Sequence, residues 1–216
     1  MAPQEPEEEA LGMILVGTCS WTDPTLIESG QFYPDWAKSA EARLGFYASQ
    51  FRIVEVDSSY YALPQERTST LWVERTPQDF RFDVKSFRLF THHPTPVKAL
   101  PRDIREALSP ELREKPNIYQ RDMPGELAGE LWRRFERALL PLDSAGKLGV
   151  VLFQFPQWFF PSLANKDYIV GLKERLPQYR IAVEFRAAGW LDGRREDTLA
   201  LLRDNNFAFV CVDEPQ

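Results

Sequence analysis

The sequence predicts an α/β fold built on a parallel sheet, and two observations favour a TIM-type β/α barrel over an open sheet. Strand-like and helix-like segments alternate from Met13 onward, which is typical of right-handed βαβ units. Polar side chains also recur on one side of successive strands, close to their C-terminal ends. Helices cover both faces of an open parallel sheet, whereas the interior of a barrel can turn polar at its C-terminal mouth.

Six strands are predicted, each from a short apolar run bounded by polar or turn-forming residues. In chain order they span 13–21, 53–60, 80–87, 147–156, 179–186 and 207–215. In the second, third and fifth strands apolar and charged side chains alternate, so the charged ones share one face. Together with one residue each from the fourth and sixth strands, the polar residues on this side are Glu55, Asp57, Asp83, Lys85, Gln154, Glu184, Arg186 and Asp213.

Helices are predicted between these strands at 40–51, 65–75, 125–142, 166–176 and 195–206. The first places Leu44, Tyr47 and Ala48 on one face, at the spacing of an amphipathic helix. The second follows Pro64 and ends before Pro77, since proline breaks a helix that it interrupts. Residues 88–125 form a long insertion rich in proline and charge, for which only one short helix is predicted, near 102–108.

Composition limits the classes to which the chain can belong. Its 216 residues, 44% of them hydrophobic, are enough for a single domain over 13–216 with one core. Residues 1–12 form an acidic, proline-containing tail that we expect to be disordered. They lack the pattern of a signal peptide, and no apolar run is long enough to span a membrane, so a cytoplasmic location is predicted.

Charge and cysteine content narrow the range of partners. A net charge of −6 gives no general attraction to nucleic acid or to anionic membranes, although a local basic site stays open. Cys19 and Cys211 lie far apart in two predicted strands, without the spacing of a zinc site. We expect both to be reduced, buried thiols.

Six stretches of the sequence form a recognisable set: "VGTCSWTDP", "FYPDW", "RLGFYASQFRIVEVDSSYYALP", "LWVERTPQDFRFDVKSFRLFTH", "KLGVVLFQFP" and "AVEFRAAGW". They closely resemble the DUF72 (YecE-like) family. Because they occur in the family's order over nearly the whole chain, the resemblance is specific. It implies a TIM-barrel-like fold, a bacterial or archaeal cytoplasmic protein, and no well-established activity.

The chain departs from that family in two ways. Segment 92–125 is longer and more charged than the family pattern implies. The family also continues through further βα units, so the chain is expected to hold six of the eight strands of a barrel and to be truncated at its C-terminal end. Such a barrel has two unpaired edges, which self-association or a partner could cover.

Active sites of barrels form at the C-terminal ends of the strands and in the loops that follow. The candidates at this end are Trp21, Glu55, Asp57, Tyr60, Lys85, His92, Gln154, Glu184, Arg186 and Asp213. We predict Glu184 as the general acid or base, with Glu55 and Lys85 as further catalytic residues, and the others as substrate-binding residues. Arg186 suits a carboxylate or phosphate group. The alternative is that these charges form only structural ion pairs with one another.

A divalent metal is a second alternative at this site. Glu55, Asp57, Glu184 and Asp213 could supply oxygen ligands, with His92 or His93 as a nitrogen ligand. Adjacent histidines in an extended segment cannot easily turn to the same ion, so no residue is assigned as a metal ligand and the cofactor stays open.

The leading functional hypothesis is an enzyme that acts on a small polar or phosphorylated substrate, with phosphoester or glycosidic hydrolysis as the first reaction to test. The sequence lacks GxGxxG, P-loop, GxSxG and HExxH motifs, which argues against the enzyme classes that depend on them. Two alternatives remain: a non-catalytic barrel that binds a metabolite or nucleic acid, and an inactive fragment of an enzyme.

Overall fold

Five parallel strands form the main sheet of the computed structural model, which describes residues 13–213. They lie in the order β1-β2-β5-β6-β7, and each pairs with its neighbour in parallel. Their bounds are β1 (Ile53–Val56), β2 (Arg81–Lys85), β5 (Leu148–Phe155), β6 (Ile181–Phe185) and β7 (Phe207–Phe209). A separate antiparallel pair consists of β3 (Thr95–Pro96) and β4 (Asn117–Ile118). The predicted tail at 1–12 lies outside the described residues.

Helices connect the parallel strands, as the sequence predicts. The described part of the chain contains α1 (Pro24–Glu28), α2 (Ala40–Gln50), α3 (Ser58–Tyr61), α4 (Glu66–Glu74), α5 (Arg102–Glu106), α6 (Pro110–Arg113), α7 (Gly125–Ser144), α8 (Leu163–Arg175) and α9 (Arg195–Asp204). The α/β class and the parallel sheet are therefore confirmed. Every helix between residues 13 and 213 is too short or too polar to cross a bilayer.

The first predicted strand, 13–21, is wrong over most of its length. It makes a single parallel bridge, from Cys19 to Glu55, in which the Ser20 amide donates to the Glu55 carbonyl over 2.8 Å. Ser20 then adopts a φ of 68°, in the left-handed region, which turns the chain away from β1. Regular pairing therefore cannot continue past this point.

Two other predicted strands are shorter than expected. The second, 53–60, ends at Val56, because Asp57 begins the short helix α3. The hydroxyl of Ser59 donates to the carbonyls of Val56 and Lys85, over 2.8 and 2.6 Å, and so fastens α3 to the ends of β1 and β2. Within the described residues the sixth predicted strand is paired only from Phe207 to Phe209.

Apolar side chains of the strands lie under helices on one face of the sheet. Val54, Val56, Phe82 and Val84 are each no more than 1% exposed. The ring of Trp72 on α4 stacks on Phe82 with 6.0 Å between ring centroids. Burial of each such side chain stabilises the fold by about 1.5–3 kcal/mol. Because side chains alternate along a strand, the same packing places the intervening charged residues on the opposite face.

The insertion at 88–125 is folded and contributes to the core. Leu89, Phe90, Ile104 and Ile118 are each no more than 3% exposed. Phe90 stacks on Trp132 of α7 with 3.7 Å between centroids. Besides α5, which matches the predicted helix, the insertion holds α6, the β3–β4 pair and short 3₁₀ turns. The sequence prediction missed these elements because each is only a few residues long.

The expectation of buried thiols is wrong. Cys19 and Cys211 are both exposed. Cys19 forms the single bridge to the outer edge of β1. Among the described residues, no regular strand pairs with that edge. Cys211 follows β7 at the other edge of the sheet.

A bulge between β2 and β5 determines how these two strands pair. Phe82 pairs with Leu148 and Val84 with Val151, so β5 contains one residue more than β2 over this interval. The carboxylate of Asp83 accepts a hydrogen bond from the Val150 amide over 2.9 Å, which satisfies a donor left unpaired by the bulge. A Cβ at Gly149 would lie 2.2 Å from Asp83 Oδ1, so any other residue there must displace the Asp83 carboxylate.

We predict that Gly149→Ala lowers the free energy of unfolding by about 1–3 kcal/mol, because the methyl group displaces the Asp83 carboxylate from the Val150 amide. The matched control is Gly129→Ala on α7, where no atom lies within 4 Å of the added Cβ. That change is expected to be neutral or to stabilise the chain by up to about 1 kcal/mol. Urea denaturation of both variants is the measurement. Equal stability of the two would contradict this role for the bulge.

Candidate functional site

The candidate site lies at the C-terminal edge of the sheet, where the ends of β1, β2, β5 and β6 meet. The register places Glu55 beside Asp83 and Gln154 beside Glu184. Because the four strands are parallel, side chains near their last residues come together on the face opposite the helices. The structure therefore brings together Glu55, Asp57, Lys85, Gln154, Glu184 and Arg186, all of which the sequence analysis had selected.

Lys85 lies between two carboxylates. Its Nζ is 3.7 Å from Glu55 Oε1 and 3.4 Å from Asp57 Oδ1. Glu55 lies on β1, and Asp57 lies between the end of β1 and the start of α3. All three side chains are largely sheltered from water, with exposed fractions of 23% for Glu55, 33% for Asp57 and 16% for Lys85. This is a partly desolvated cluster of charges rather than a surface ion pair.

Glu55 is the carboxyl group of this cluster that is suited to exchange protons near neutral pH. Burial raises its pKa from 4.5 to about 7. Lys85 acts in the opposite direction, and the neighbouring charges of Asp57 and Glu184 add to the increase. Burial and two like charges therefore outweigh the attraction of one nearby cation.

The Lys85 amine is held in its charged form. Burial alone would lower its pKa, but the attraction of Glu55 and Asp57 is stronger, and the net effect raises the pKa above its ordinary value. A nucleophilic amine must lose its proton. The Schiff-base role that a lysine can take at such a position is therefore not supported, and the electrostatic role is.

Glu184 and its neighbours form a second, tightly bonded group. Gln154 Nε2 donates to Glu184 Oε1 over 2.6 Å, and Arg186 Nε donates to the same oxygen. The Glu184 side chain is only 6% exposed. Two donors converge on one oxygen of Glu184, so its side chain is held in one orientation. This arrangement favours a positioning role for Glu184 over the acid–base role predicted from the sequence.

Tyr60 on α3 extends the site toward the 88–125 insertion. Its ring centroid lies 5.5 Å from Lys85 Nζ and 5.1 Å from the Arg88 guanidinium carbon. The His93 ring stands edge-on to it at 5.3 Å. The sequence analysis missed Arg88 and considered His93 only as a metal ligand, since both lie in a segment for which it predicted little structure. Position directly after β2 was the signal that could have identified Arg88.

The two adjacent histidines face different surroundings because His92 has a φ of 61°. Burial and the nearby charges of Arg88 and Lys85 lower the pKa of His93 to about 4. Burial lowers the pKa of His92 as well. The His92 ring lies 4.5 Å from the ring of Tyr168 on α8, away from the carboxylates.

A cavity of about 430 Å³ lies beside His92. Its lining residues are His92, Tyr119, Gln120, Arg121, Trp158, Phe159 and Asn165. None of the clustered carboxylates is among them. Of the predicted site residues, His92 therefore belongs to a separate environment.

Two further predicted residues lie outside the cluster. The turn at Ser20 directs the Trp21 ring into the apolar layer, where it lies 5.6 Å from Trp72 and is 8% exposed. This places Trp21 in the core rather than at a substrate. Asp213 lies beyond the end of β7 and is exposed.

Cys19 is a neighbour of the cluster that the sequence analysis did not select. Partial burial of the Cys19 thiol raises its pKa to about 11, and the negative charges of Glu55 and Asp57 add to this increase. The thiol is therefore protonated at neutral pH, which makes it a poor nucleophile.

The metal alternative has no geometric support among the residues that the structure describes. Over 13–213, no three His, Cys, Asp or Glu side chains are grouped so that they could hold a metal ion.

Comparison with known proteins agrees with the resemblance seen in the sequence. Residues 15–216 match a family model described as "Protein of unknown function DUF72". The UPF0759 protein YunF of Bacillus subtilis (strain 168) is 30% identical over 205 residues, which are 94% of this chain and 62% of YunF. The UPF0759 protein YecE of Escherichia coli (strain K12) is 31% identical over 80 residues, 37% of this chain and 26% of YecE.

Solved structures give the same picture. A DUF72 family protein from Thermotoga maritima MSB8 is 31% identical, with a TM-score of 0.67 over 95% of this chain and 66% of that one. Another, from Enterococcus faecalis V583, has a TM-score of 0.68 at 24% identity, over 94% of this chain and 62% of that one. The chain thus spans about three fifths of the length of YunF. The family match over residues 15–216, together with these structural likenesses, establishes that the chain belongs to the DUF72 family.

Proposed function

We propose that this chain carries the acid–base centre of a hydrolase that acts on a small polar or phosphorylated substrate. The observation that carries the proposal is the position of Glu55, a sheltered carboxyl group 3.7 Å from Lys85, which also lies 3.4 Å from Asp57. Burial in this cluster raises the pKa of Glu55 toward neutral pH. A group with a pKa near the working pH can accept a proton from water and later return it to a leaving group. Perturbed carboxyl groups of this kind are concentrated at active sites.

The other charged residues have supporting roles in this proposal. Lys85 stabilises the Glu55 anion each time Glu55 gives up its proton, which keeps the pKa from rising further. Asp57 keeps Lys85 charged when Glu55 is neutral, since it lies 3.4 Å from the amine. Glu184, bonded by Gln154 and Arg186, is held in a fixed orientation at the same edge.

The structural alternative explains part of this arrangement. Glu184 with Arg186, and Asp57 with Lys85, form ion pairs of the kind that stabilise barrel interiors without any catalytic role. Glu55 fits that alternative less well. Burial raises the pKa of Glu55 more than Lys85 lowers it, so the pairing with Lys85 can be lost by protonation of Glu55 near neutral pH, which a purely structural counter-ion does not require.

The proposal includes closure of the sheet into a β/α barrel. Its support is the placement of charged side chains on one face and helix-covered apolar side chains on the other, which is typical of barrels. Closure requires further strands between the Cys19 segment and β7, the two edges of the described sheet. Another polypeptide segment or a second copy of the chain would supply them and would also cover the exposed Ile14 and Val16.

We expect Glu55→Gln to lower kcat/KM by about 10²–10⁴ on the substrate class that the protein hydrolyses, because glutamine cannot exchange a proton. Nitrophenyl phosphate mono- and diesters and nitrophenyl glycosides, with and without Mg²⁺, are the substrates to test. Glu74→Gln, an exposed change at the end of α4, is the control and should retain full activity. If Glu184→Gln abolishes turnover while Glu55→Gln retains it, the assignment to Glu55 is wrong. If the unmodified chain turns over no substrate of either class, the non-catalytic binding barrel is favoured.

Glu55 should also make stability depend on pH. Its pKa is raised from 4.5 to about 7 on folding, so the folded chain keeps a proton that the unfolded chain has lost in this interval. The stabilisation that Glu55 provides at low pH is therefore lost as pH rises from about 4.5 to about 7. The quantity to compare is the free energy of unfolding of Glu55→Gln minus that of the unmodified chain. This difference should be higher at pH 8 than at pH 5, by up to about 3 kcal/mol. Urea denaturation at both pH values measures this, with Glu74→Gln as control. An equal effect of Glu55→Gln at both pH values would contradict the raised pKa.

A further inference from the structure

Arg88 is a sheltered cation to which residues 13–213 supply no anion. It is the first residue of the 3₁₀ turn Arg88–Thr91, three residues beyond the end of β2. Its guanidinium lies 5.1 Å from the centre of the Tyr60 ring. Its Nε is buried without a hydrogen-bond partner, and the side chain forms no ion pair with any other residue between 13 and 213.

Other sheltered cations in the described chain have partners. Lys85 lies between Glu55 and Asp57. Lys147, which is 2% exposed, donates to the carbonyls of Val73 and Thr76 over 2.8 and 2.7 Å at the end of α4. Charges removed from water are normally paired in this way. Arg88 departs from the rule at the edge of the sheet that holds the candidate site, which indicates that its counter-ion is a ligand.

Three basic side chains converge on Tyr60. Lys85 Nζ lies 5.5 Å from the ring centroid, Arg88 5.1 Å and the His93 ring 5.3 Å. Backbone geometry fixes two of them relative to each other, since the His93 amide donates to the Arg88 carbonyl over 3.1 Å. The Thr91 hydroxyl, 2.9 Å from His93 Nδ1, orients the imidazole. The same hydroxyl donates to the Arg88 carbonyl over 3.2 Å, so Thr91 links the His93 ring to the Arg88 turn.

We propose that Arg88, Lys85 and His93 form a phosphate-binding subsite around Tyr60. A guanidinium fork and an ammonium group together match the several acceptor oxygens of a phosphate better than the two of a carboxylate. The subsite deepens the proposed function and rests on it, because Lys85 also contacts Glu55 and the bound phosphate would lie next to that carboxyl group. The substrate class that follows is a small phosphate ester.

The test is calorimetric titration of the whole chain with inorganic phosphate at about 1–20 mM, alongside sulfate and acetate. Arg88→Met removes the charge and keeps an apolar stem, and should weaken phosphate binding by about 10- to 100-fold. The matched control is Arg203→Met. Arg203 lies in the last turn of α9, next to β7, which is the strand at the other end of the sheet from β1. This variant should leave phosphate binding unchanged within about twofold. Arg88→Lys, which keeps the charge and loses the fork, should weaken binding by a smaller factor and provides the test if Arg88→Met does not fold.

Four results would overturn the subsite: no phosphate binding by the unmodified chain, acetate binding as tight as phosphate binding, unchanged binding in Arg88→Met, or equal losses in Arg88→Met and Arg203→Met. Glu55→Gln separates this inference from the proposed function. Phosphate binding that persists in Glu55→Gln, in a protein that hydrolyses nothing, supports the subsite and removes the hydrolase. Turnover whose KM is unaffected by Arg88→Met supports the hydrolase and removes the subsite.

Discussion

The candidate site depends on one cation, Lys85, held between the carboxylates of Glu55 and Asp57. Each of the three side chains is largely removed from water, and such a group of charges is stable only when opposite charges meet. Lys85 lies close enough to both carboxylates to remain protonated itself, yet it does not bring the pKa of Glu55 back to its ordinary value. That incomplete compensation leaves one carboxyl group able to exchange a proton near neutral pH.

Packing of apolar side chains on the other face of the sheet determines which face the charged side chains occupy. Val54, Val56, Phe82 and Val84 are buried under the helices, so their neighbours along the strands must face the opposite way. The bulge at Gly149 advances β5 by one residue relative to β2. On its other side β5 pairs with β6 in regular register, which places Gln154 beside Glu184. The amide of Gln154 bonds the Glu184 carboxylate from this neighbouring position and fixes its orientation.

Side-chain alternation was sufficient to predict most of the charged face from the sequence. Glu55, Lys85, Glu184 and Arg186 lie where their positions in the strands predicted, because the apolar residues between them leave no other face. Backbone conformations that one residue determines could not be predicted in this way. The positive φ of Ser20 directs Trp21 into the core, and that of His92 turns two adjacent histidines toward different surroundings. Arg88 was missed because its segment carries no period that predicts a helix or a strand.

The central claim, that Glu55 exchanges its proton near neutral pH, can be measured directly by carbon-detected NMR of the side-chain carboxyl group, assigned by comparison with Glu55→Gln. A titration of the folded chain should show the Glu55 resonance changing with a midpoint near pH 7. A midpoint at or below the ordinary value of about 4.3 for glutamate would contradict the claim and would leave Glu55 as a structural counter-ion of Lys85.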